Sequence, residues 1–200
     1  QETGYPWDGK VSLAVNPAET RRFALHIRVP NRNVSRLYQA GPAPAAAPVF
    51  RVNGTRMQPQ FRNGYAVLDR TWRPGDRLEF ALPLAPQRVT PDGRIPQLKG
   101  RTALRYGPLI YNIESRDQDI DNILPHDAPV TVEFRPACLG GVAILRSAFS
   151  DGSSLIAVPN YARMNRETGT EYPPRPPAPP PGGSRGAPRP VKSAVWIRSA

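Results

Sequence analysis

The sequence predicts an all-β chain: two consecutive antiparallel β-sandwich domains, jelly-roll-like, with a Pro-rich loop. Three observations carry this reading. The dominant hydrophobic period is two rather than 3.6, short apolar runs recur along the whole chain, and turn-forming Gly, Pro, Asn and Asp clusters separate them. Convincing amphipathic-helix periodicity is lacking; only residues 34–40 leave room for a turn or two of helix.

The elements run in order along the chain. Residues 11–15 open the series, and "RRFALHIRVP" is the clearest strand. Phe23, Leu25, Ile27 and Val29 share one face, Arg22, Ala24, His26 and Arg28 share the other, and Pro30 closes the run. Burying the four apolar side chains contributes about 1.5–3 kcal/mol each, whereas fixing each backbone residue costs about 1–2 kcal/mol. The strand therefore needs partners in a sheet. Partners are expected at residues 49–52, 65–69, 77–82, 102–106, 108–114, 130–134, 142–148, 154–158 and 194–198. Asn53-Gly54, Asn63-Gly64, Pro74-Gly75-Asp76, Pro91-Asp92-Gly93 and Asp151-Gly152 supply the turns.

The long Pro/Gly-containing stretch 85–100 is the natural boundary, which predicts a first sandwich over residues 1–95 and a second over 96–200. "GPAPAAAP" (41–48) reads as a surface excursion of the first. Residues 172–190 are too rich in Pro and Gly to pack in a sheet and read as a polyproline-type loop within the second, a spacer leading back to the last strand rather than a peptide-module ligand. Because the chain opens on "QETGYPWDG" with neither Met nor leader, it is treated as a fragment, with a further strand expected upstream and a sheet edge left uncovered.

Composition narrows the function classes. The hydrophobic fraction of 39% suffices for a core, yet no apolar run approaches the roughly 18 residues of a membrane span, so no membrane partner is expected. The net charge of +11 comes from 27 basic and 16 acidic residues, nearly all the basic ones being arginine. Five of the basic residues (Arg175, Arg185, Arg189, Lys192 and Arg198) lie beyond residue 171, where there is no acid. The rest alternate with acids and apolar residues, without a basic helix or stacking surface, which argues against nucleic acid. A single cysteine, Cys138, excludes an internal disulfide and a multi-Cys zinc site.

Catalytic groups are sparse. His26 falls on the polar face of a strand and His126 in an acidic loop. Asp117, Asp119 and Asp121 in "SRDQDIDNILPHD" imitate the start of a calcium loop, but Asn122 stands where the turn Gly is needed and Ala128 where the closing Glu is. Glu114 and Glu133 are the conceivable carboxylate pair, although nothing in the sequence brings them together. Cys138 lacks a neighbouring His or helix N-terminus to activate it. No catalytic residue and no cofactor are assigned to this chain.

Seven segments in order then carry a resemblance: "YPWDGKVSLAV" (5–15), "FALHIRVP" (23–30), "VNG" (52–54), "GYAVLDRTWRPGDRLEFALPL" (64–84), "ALRYGPLIYNIE" (103–114), "LIAVPNYARMNR" (155–166) and "SAVWI" (193–197). Their order and content resemble the C-terminal β-sandwich part of the β-L-arabinofuranosidases of glycoside hydrolase family 127. The resemblance implies a preceding (α/α)6 barrel, absent from this chain, that carries the active site with a zinc-bound Cys nucleophile, further Cys and Glu zinc ligands and a catalytic Glu. None of these matches a position here, and Cys138 does not inherit the nucleophile. The usual Pro-Gly-Trp after the early strand reads Pro30-Asn31-Arg32, and the two Pro-rich stretches look like insertions. The implied role is a non-catalytic accessory region whose partner is the upstream barrel, in an extracellular or periplasmic enzyme; the alternative is a free-standing carbohydrate-binding module. A glycan contact and a homodimer contact stay open.

The segment "SLIAVPNYARMNR" (154–166) then acquires a physical reading. Pro159 removes a ladder donor and ends the strand, after which Asn160, Tyr161, Arg163, Asn165 and Arg166 present amides, a phenol and guanidiniums. Such groups suit the bracing of one domain by another, and secondarily a sugar. Trp7, Trp72 and Trp196 offer rings on which a sugar could stack, but their apolar neighbours on strands or tight turns favour core or interface packing; Trp7 and Trp72 join the candidate interface or sugar contacts.

Overall fold

A computed structural model describes residues 1–29, 35–42, 47–165 and 191–200. The strands are β1 (Glu2–Thr3), β2 (Lys10–Val15), β3 (Arg21–Arg28), β4 (Tyr38–Gly41), β5 (Phe50–Val52), β6 (Thr55–Met57), β7 (Gln60–Arg62), β8 (Tyr65–Trp72), β9 (Asp76–Ala81), β10 (Pro86–Pro91), β11 (Arg101–Tyr106), β12 (Leu109–Glu114), β13 (Ile123–Leu124), β14 (Thr131–Arg135), β15 (Val142–Ala148), β16 (Ser154–Pro159), β17 (Ser193–Ala194) and β18 (Ile197–Ser199). Helical residues among those described are confined to two 3-10 turns, Pro96–Leu98 and Asn160–Ala162. The chain is all-β, as the period of two requires.

The first unit comprises Gln1–Ser35 and Pro42–Ala85. It holds a five-stranded sheet, β1-β2-β9-β5-β6, and a three-stranded sheet, β3-β8-β7. Inward residues of both sheets merge into one core: Val11, Phe50, Val52, Leu78 and Phe80 from the first, Ala66, Leu68 and Trp72 from the second. This is a β-sandwich, and its outer faces carry the charged residues of the alternating pattern. Trp72 is fully buried, its Nε1 donates to the Phe23 carbonyl at 3.1 Å, and the Arg70 guanidinium lies 4.9 Å from its ring centroid.

Two hairpins set the register. Val52 pairs with Thr55 around Asn53-Gly54, and Arg62 with Tyr65 around Asn63-Gly64. All four turn residues have positive φ (49° and 79°, 48° and 78°), the geometry whose twist matches the flanking strands and which Asn-Gly tolerates best. Asn53 also ties its turn to β9, donating through Nδ2 to Asp76 and accepting from the Arg77 amide, each at 2.8 Å.

The second unit comprises Arg36–Gly41 and Pro86–Ala200. Its ten-stranded sheet runs β13-β18-β11-β12-β16-β15-β14, with β10 on β11, β4 on β10, and β17 on β12. Successive residues Val142 to Leu145 and Leu155 to Pro159 are buried, so the first half of β15 and nearly all of β16 are covered on both faces rather than alternating. Tyr111 is buried at their centre, donates its hydroxyl proton to the Ala143 carbonyl at 2.9 Å, and has its phenol pKa pushed up by that burial.

Three sequence expectations change. Residues 86–95, assigned to the first domain, lie in the second unit, because β10 pairs with β11 from Pro86↔Tyr106 to Val89↔Ala103 and with β4. The Pro residues at its two ends disguise a strand whose Gln87 and Val89 are buried. The helical turn expected within 34–40 does not form over its described part: residues 38–40 belong to β4, since β10 offers a ladder that an isolated turn cannot match. The single last strand is split: β17 pairs with β12, β18 pairs with β11 and β13, and Trp196 between them lies 5.6 Å from the Tyr38 ring. Residues 43–46 of the Ala/Pro excursion and the Pro-rich loop 172–190 lie outside the described residues.

Carboxylates make the fold acid-sensitive. Arg22 holds the Asp69 pKa down, the Arg73 amide and then Asn53 that of Asp76, Arg94 that of Asp92, Arg146 and then Arg135 that of Glu133, and Ser153 that of Asp151. A folded pKa below the unfolded one contributes stability above the unfolded value, which disappears as pH falls through the folded value. The melting temperature is therefore expected to stay level down to about pH 5 and to fall below about pH 4. Thermal melts across that range check it; a constant melting temperature down to about pH 2.5 would refute it, that limit lying roughly a unit and a half below an ordinary carboxylate.

Candidate functional site

The end of β16 is built by a conflict between sheet and turn. Val158 and Pro159 still pair with Asn112 and Tyr111, but Pro159 has no N–H to extend the ladder and the chain turns into Asn160–Ala162. The Arg163 amide donates to the Asn160 carbonyl at 3.3 Å, and the Asn165 amide to the Ala162 carbonyl at 3.3 Å. Met164 adopts φ +60°, a left-handed conformation uncommon for a non-glycine residue, and its amide donates to Glu114 Oε1 at 2.7 Å.

Behind this turn lies a buried polar layer that the sequence did not signal as a site. In the β12/β16 register Asn112 opposes Val158, so Asn112 and Glu114 share a sheet face with Val158 and with the row leading to Asn160. Asn112 and Glu114 are buried. Asn112 Nδ2 donates to the Val158 carbonyl at 3.2 Å, whereas Asn112 Oδ1 and Asn160 Oδ1 are buried acceptors with no donor among the described residues. Gln118 stitches the neighbouring backbone, donating to the Ile156 carbonyl at 2.9 Å and accepting from its amide at 2.7 Å. A polar residue every second position of "YNIE" inside an apolar strand is the signal that could have found the layer.

The sequence candidates at this edge divide. Ala162 is buried and anchors the turn; Arg163 and Asn165 are exposed, as are Tyr161 at 63% and Met164 at 48%. Asn160 turns its side-chain oxygen inward. Arg166 lies outside the described residues. The edge thus presents a phenol ring, a thioether, a guanidinium and an amide on a turn held from behind by Glu114.

Trp7 and Trp72 belong to the first unit. Trp72 is fully buried and cannot meet a sugar or another domain, a correction whose cause is its place on the inward face of β8. Trp7 is half-buried in a turn closed by its own amide donating to the Gly4 carbonyl at 2.9 Å.

Several other chemistry-bearing residues are engaged in structural contacts or buried. Glu133 accepts from Arg146 at 2.5 Å and is also paired with Arg135, which keeps it ionised and unsuited to donating a proton. Glu114 is occupied by the Met164 amide. Asp119 closes a turn by accepting from the Asp121 amide at 3.0 Å, and Asn122 is tied to Asp151 at 2.7 Å. Cys138 is 1% exposed. The zinc implied for the barrel does not fit the residues here: among those described, no three His, Cys, Asp or Glu side chains are grouped to hold a metal ion.

Comparison with known proteins agrees with this picture. The model of the β-L-arabinofuranosidase GH127 middle domain matches residues 1–84, and that of the glycoside hydrolase family 127 C-terminal domain matches residues 86–172. The join between them coincides with the division of the two units at Ala85 and Pro86. No curated protein matches the chain. Among solved structures, a GH127 β-arabinofuranosidase is similar at TM-score 0.79 and 23% identity over 100% of this chain and 31% of its own. A GH127 β-L-arabinofuranosidase from Geobacillus stearothermophilus T6 is similar at TM-score 0.76 and 24% identity over 100% and 30%, and a further glycoside hydrolase at 0.73 and 22% over 100% and 32%. The chain thus spans about a third of the length of these structures and shares their fold. With both domain models matched in order across residues 1–172, the chain belongs to glycoside hydrolase family 127, of which it comprises the middle and C-terminal domains.

Proposed function

We propose that this chain is the non-catalytic accessory region of a β-L-arabinofuranosidase-like glycoside hydrolase, and that it braces a catalytic (α/α)6 barrel in the same polypeptide. The observation that carries this reading is the pair of domain matches, middle and C-terminal, on a chain about a third as long as the similar structures. The zinc-dependent chemistry, on this reading, belongs to the barrel. An extracellular or periplasmic location belongs to the same proposal.

The turn after β16 is the proposed brace. Exposed Tyr161 and Met164 offer apolar area, Arg163 and Asn165 offer multiple donors, and the turn is fixed from behind through the Met164 amide on Glu114. This favours contact with protein over contact with sugar, because exposed Tyr161 and Met164 present adaptable apolar area beside several donors.

The test compares the 200-residue chain with the longer polypeptide on an aryl β-L-arabinofuranoside. The chain alone is expected to give no turnover above background, and the longer polypeptide is expected to hydrolyse the substrate. Turnover by the purified chain that is lost on replacing one of its own residues would overturn the proposal. Replacing Tyr161 with Ala in the longer polypeptide should lower its melting temperature while leaving the isolated chain's unchanged.

A further inference from the structure

The outer face of the three-stranded sheet carries an arrangement that the accessory role does not use. Cross-strand register places its side chains in rows: Arg28, Tyr65 and Arg62; His26, Val67 and Gln60; Ala24 and Asp69; Arg22 and Thr71. The two short side chains, Ala24 and Val67, lie in adjacent rows between much longer ones. Together with Met57, packed against the core, and with Leu68 and Arg70 of the opposite face, they line a depression of about 480 Å³, within the range of roughly 300–1,000 Å³ that holds small-molecule ligands. His26, Gln58, Gln60, Arg62, Asp69 and Arg70 contribute to its walls.

The polar groups are not equivalent. Asp69, the one acid lining the depression, is already held by two of the Arg22 guanidinium nitrogens, Nε at 3.1 Å and Nη2 at 3.2 Å. Arg70 lies 3.8 Å from Asp76 and over the Trp72 ring. Arg28 is spread over the Tyr65 ring at 5.4 Å, and His26 meets the same ring edge-on at 6.1 Å. These contacts fix the walls. The side chains of Gln58, Gln60 and Arg62 make no hydrogen bond or ion pair among the described residues, so their donors and acceptors are available to a ligand.

We propose that this face binds an anionic saccharide, a glycan bearing uronate carboxylates. Arg62 supplies a planar fork for the carboxylate, in a depression whose single acid is neutralised. The two glutamine amides each combine donors with an acceptor, which matches sugar hydroxyls that themselves donate and accept. A phosphate, which offers few hydroxyl donors and no apolar face, would make little use of the glutamine carbonyls or of Ala24 and Val67. The apolar side of the sugar ring rests on Ala24 and Val67. The site does not depend on the accessory-domain reading, and an activity assay that overturned that reading would leave this one standing.

The test titrates the 200-residue chain with trigalacturonate, a neutral arabinotriose and inorganic phosphate, read by amide chemical shifts and calorimetry. Trigalacturonate is expected to shift the amides of Ala24, Gln60 and Val67 and to bind about tenfold or more tightly than the neutral trisaccharide. Arg62→Gln is expected to reduce that affinity about tenfold, and Ala24→Trp, which fills the depression while leaving Arg62 in place, to abolish the shifts. Both positions are exposed on strands, and dispersed spectra of the variants confirm folding. Absence of shifts at these amides, equal binding of the neutral sugar, phosphate matching trigalacturonate, or an unchanged affinity in Arg62→Gln would each overturn the proposal.

Discussion

Replacing Trp72 with Ala is expected to destabilise the chain by about 3–5 kcal/mol, the largest effect foreseen for any single substitution. Trp72 is the largest fully buried side chain, its indole packs 6.1 Å from the Phe23 ring, and its Nε1–H satisfies the Phe23 carbonyl. Truncation leaves a cavity between the two sheets of the first unit and removes the indole hydrogen bond to the Phe23 carbonyl. Against a typical domain stability of about 5–15 kcal/mol, that is a large share. Denaturant unfolding measures it. Trp72→Phe separates the causes, since it retains most of the volume and loses the donor, and it should cost nearer about 0.5–1.5 kcal/mol for the hydrogen bond alone. A loss below about 1 kcal/mol for Trp72→Ala would mean that the sandwich core collapses freely around the gap, contrary to the stiffness of close-packed interiors.

Gly9→Ala is expected to cost about 1–3 kcal/mol or more, although the change adds one methyl group. A Cβ at Gly9 would lie 1.8 Å from the Leu82 carbonyl oxygen and 2.8 Å from its carbon, whereas the Leu82 amide donates to the Gly9 carbonyl at 2.8 Å. Backbone is what it meets, so no side-chain rotation relieves the clash, and the strands β2 and β9 must separate at that end. Gly54→Ala provides the contrast. Nothing lies within 4 Å of a new Cβ there, and only the φ of +79° opposes it, at about 1–2 kcal/mol. Thermal melts of the two variants should show the larger drop for Gly9→Ala. The reverse order would show that the start of β2 yields more readily than its pairing with β9 implies.

Much of this architecture was legible because its causes are local. The alternation of Phe23, Leu25 and Ile27 with Arg22, Ala24 and His26 survives as inward and outward faces of β3, and Asn53-Gly54 and Asn63-Gly64 form the hairpins their chemistry favours. The features that escaped have non-local causes. β4 and β10 were missed because each is short and irregular alone, and gains its strand conformation from the other and from β11. The same cause moves residues 86–95 into the second unit. Trp72, expected among the contact residues, is core because of which face of β8 it occupies, a matter settled by register with β3.

The candidate sites divide in the same way. The change of direction after Pro159 was readable from a missing N–H, and the donor-rich character of residues 160–166 from their side-chain types. The Glu114 carboxylate that holds Met164 lies 50 residues away in the chain, and the Arg28-Tyr65-Arg62 row joins three strands. The sequence by itself therefore determined the class of fold, the hairpin turns and the family, all of which depend on local periodicity and the order of short segments. Only the tertiary structure decided which tryptophan is buried, where one unit ends and the next begins, and which polar side chains share a face, because pairing between distant strands sets the register on which each of these depends.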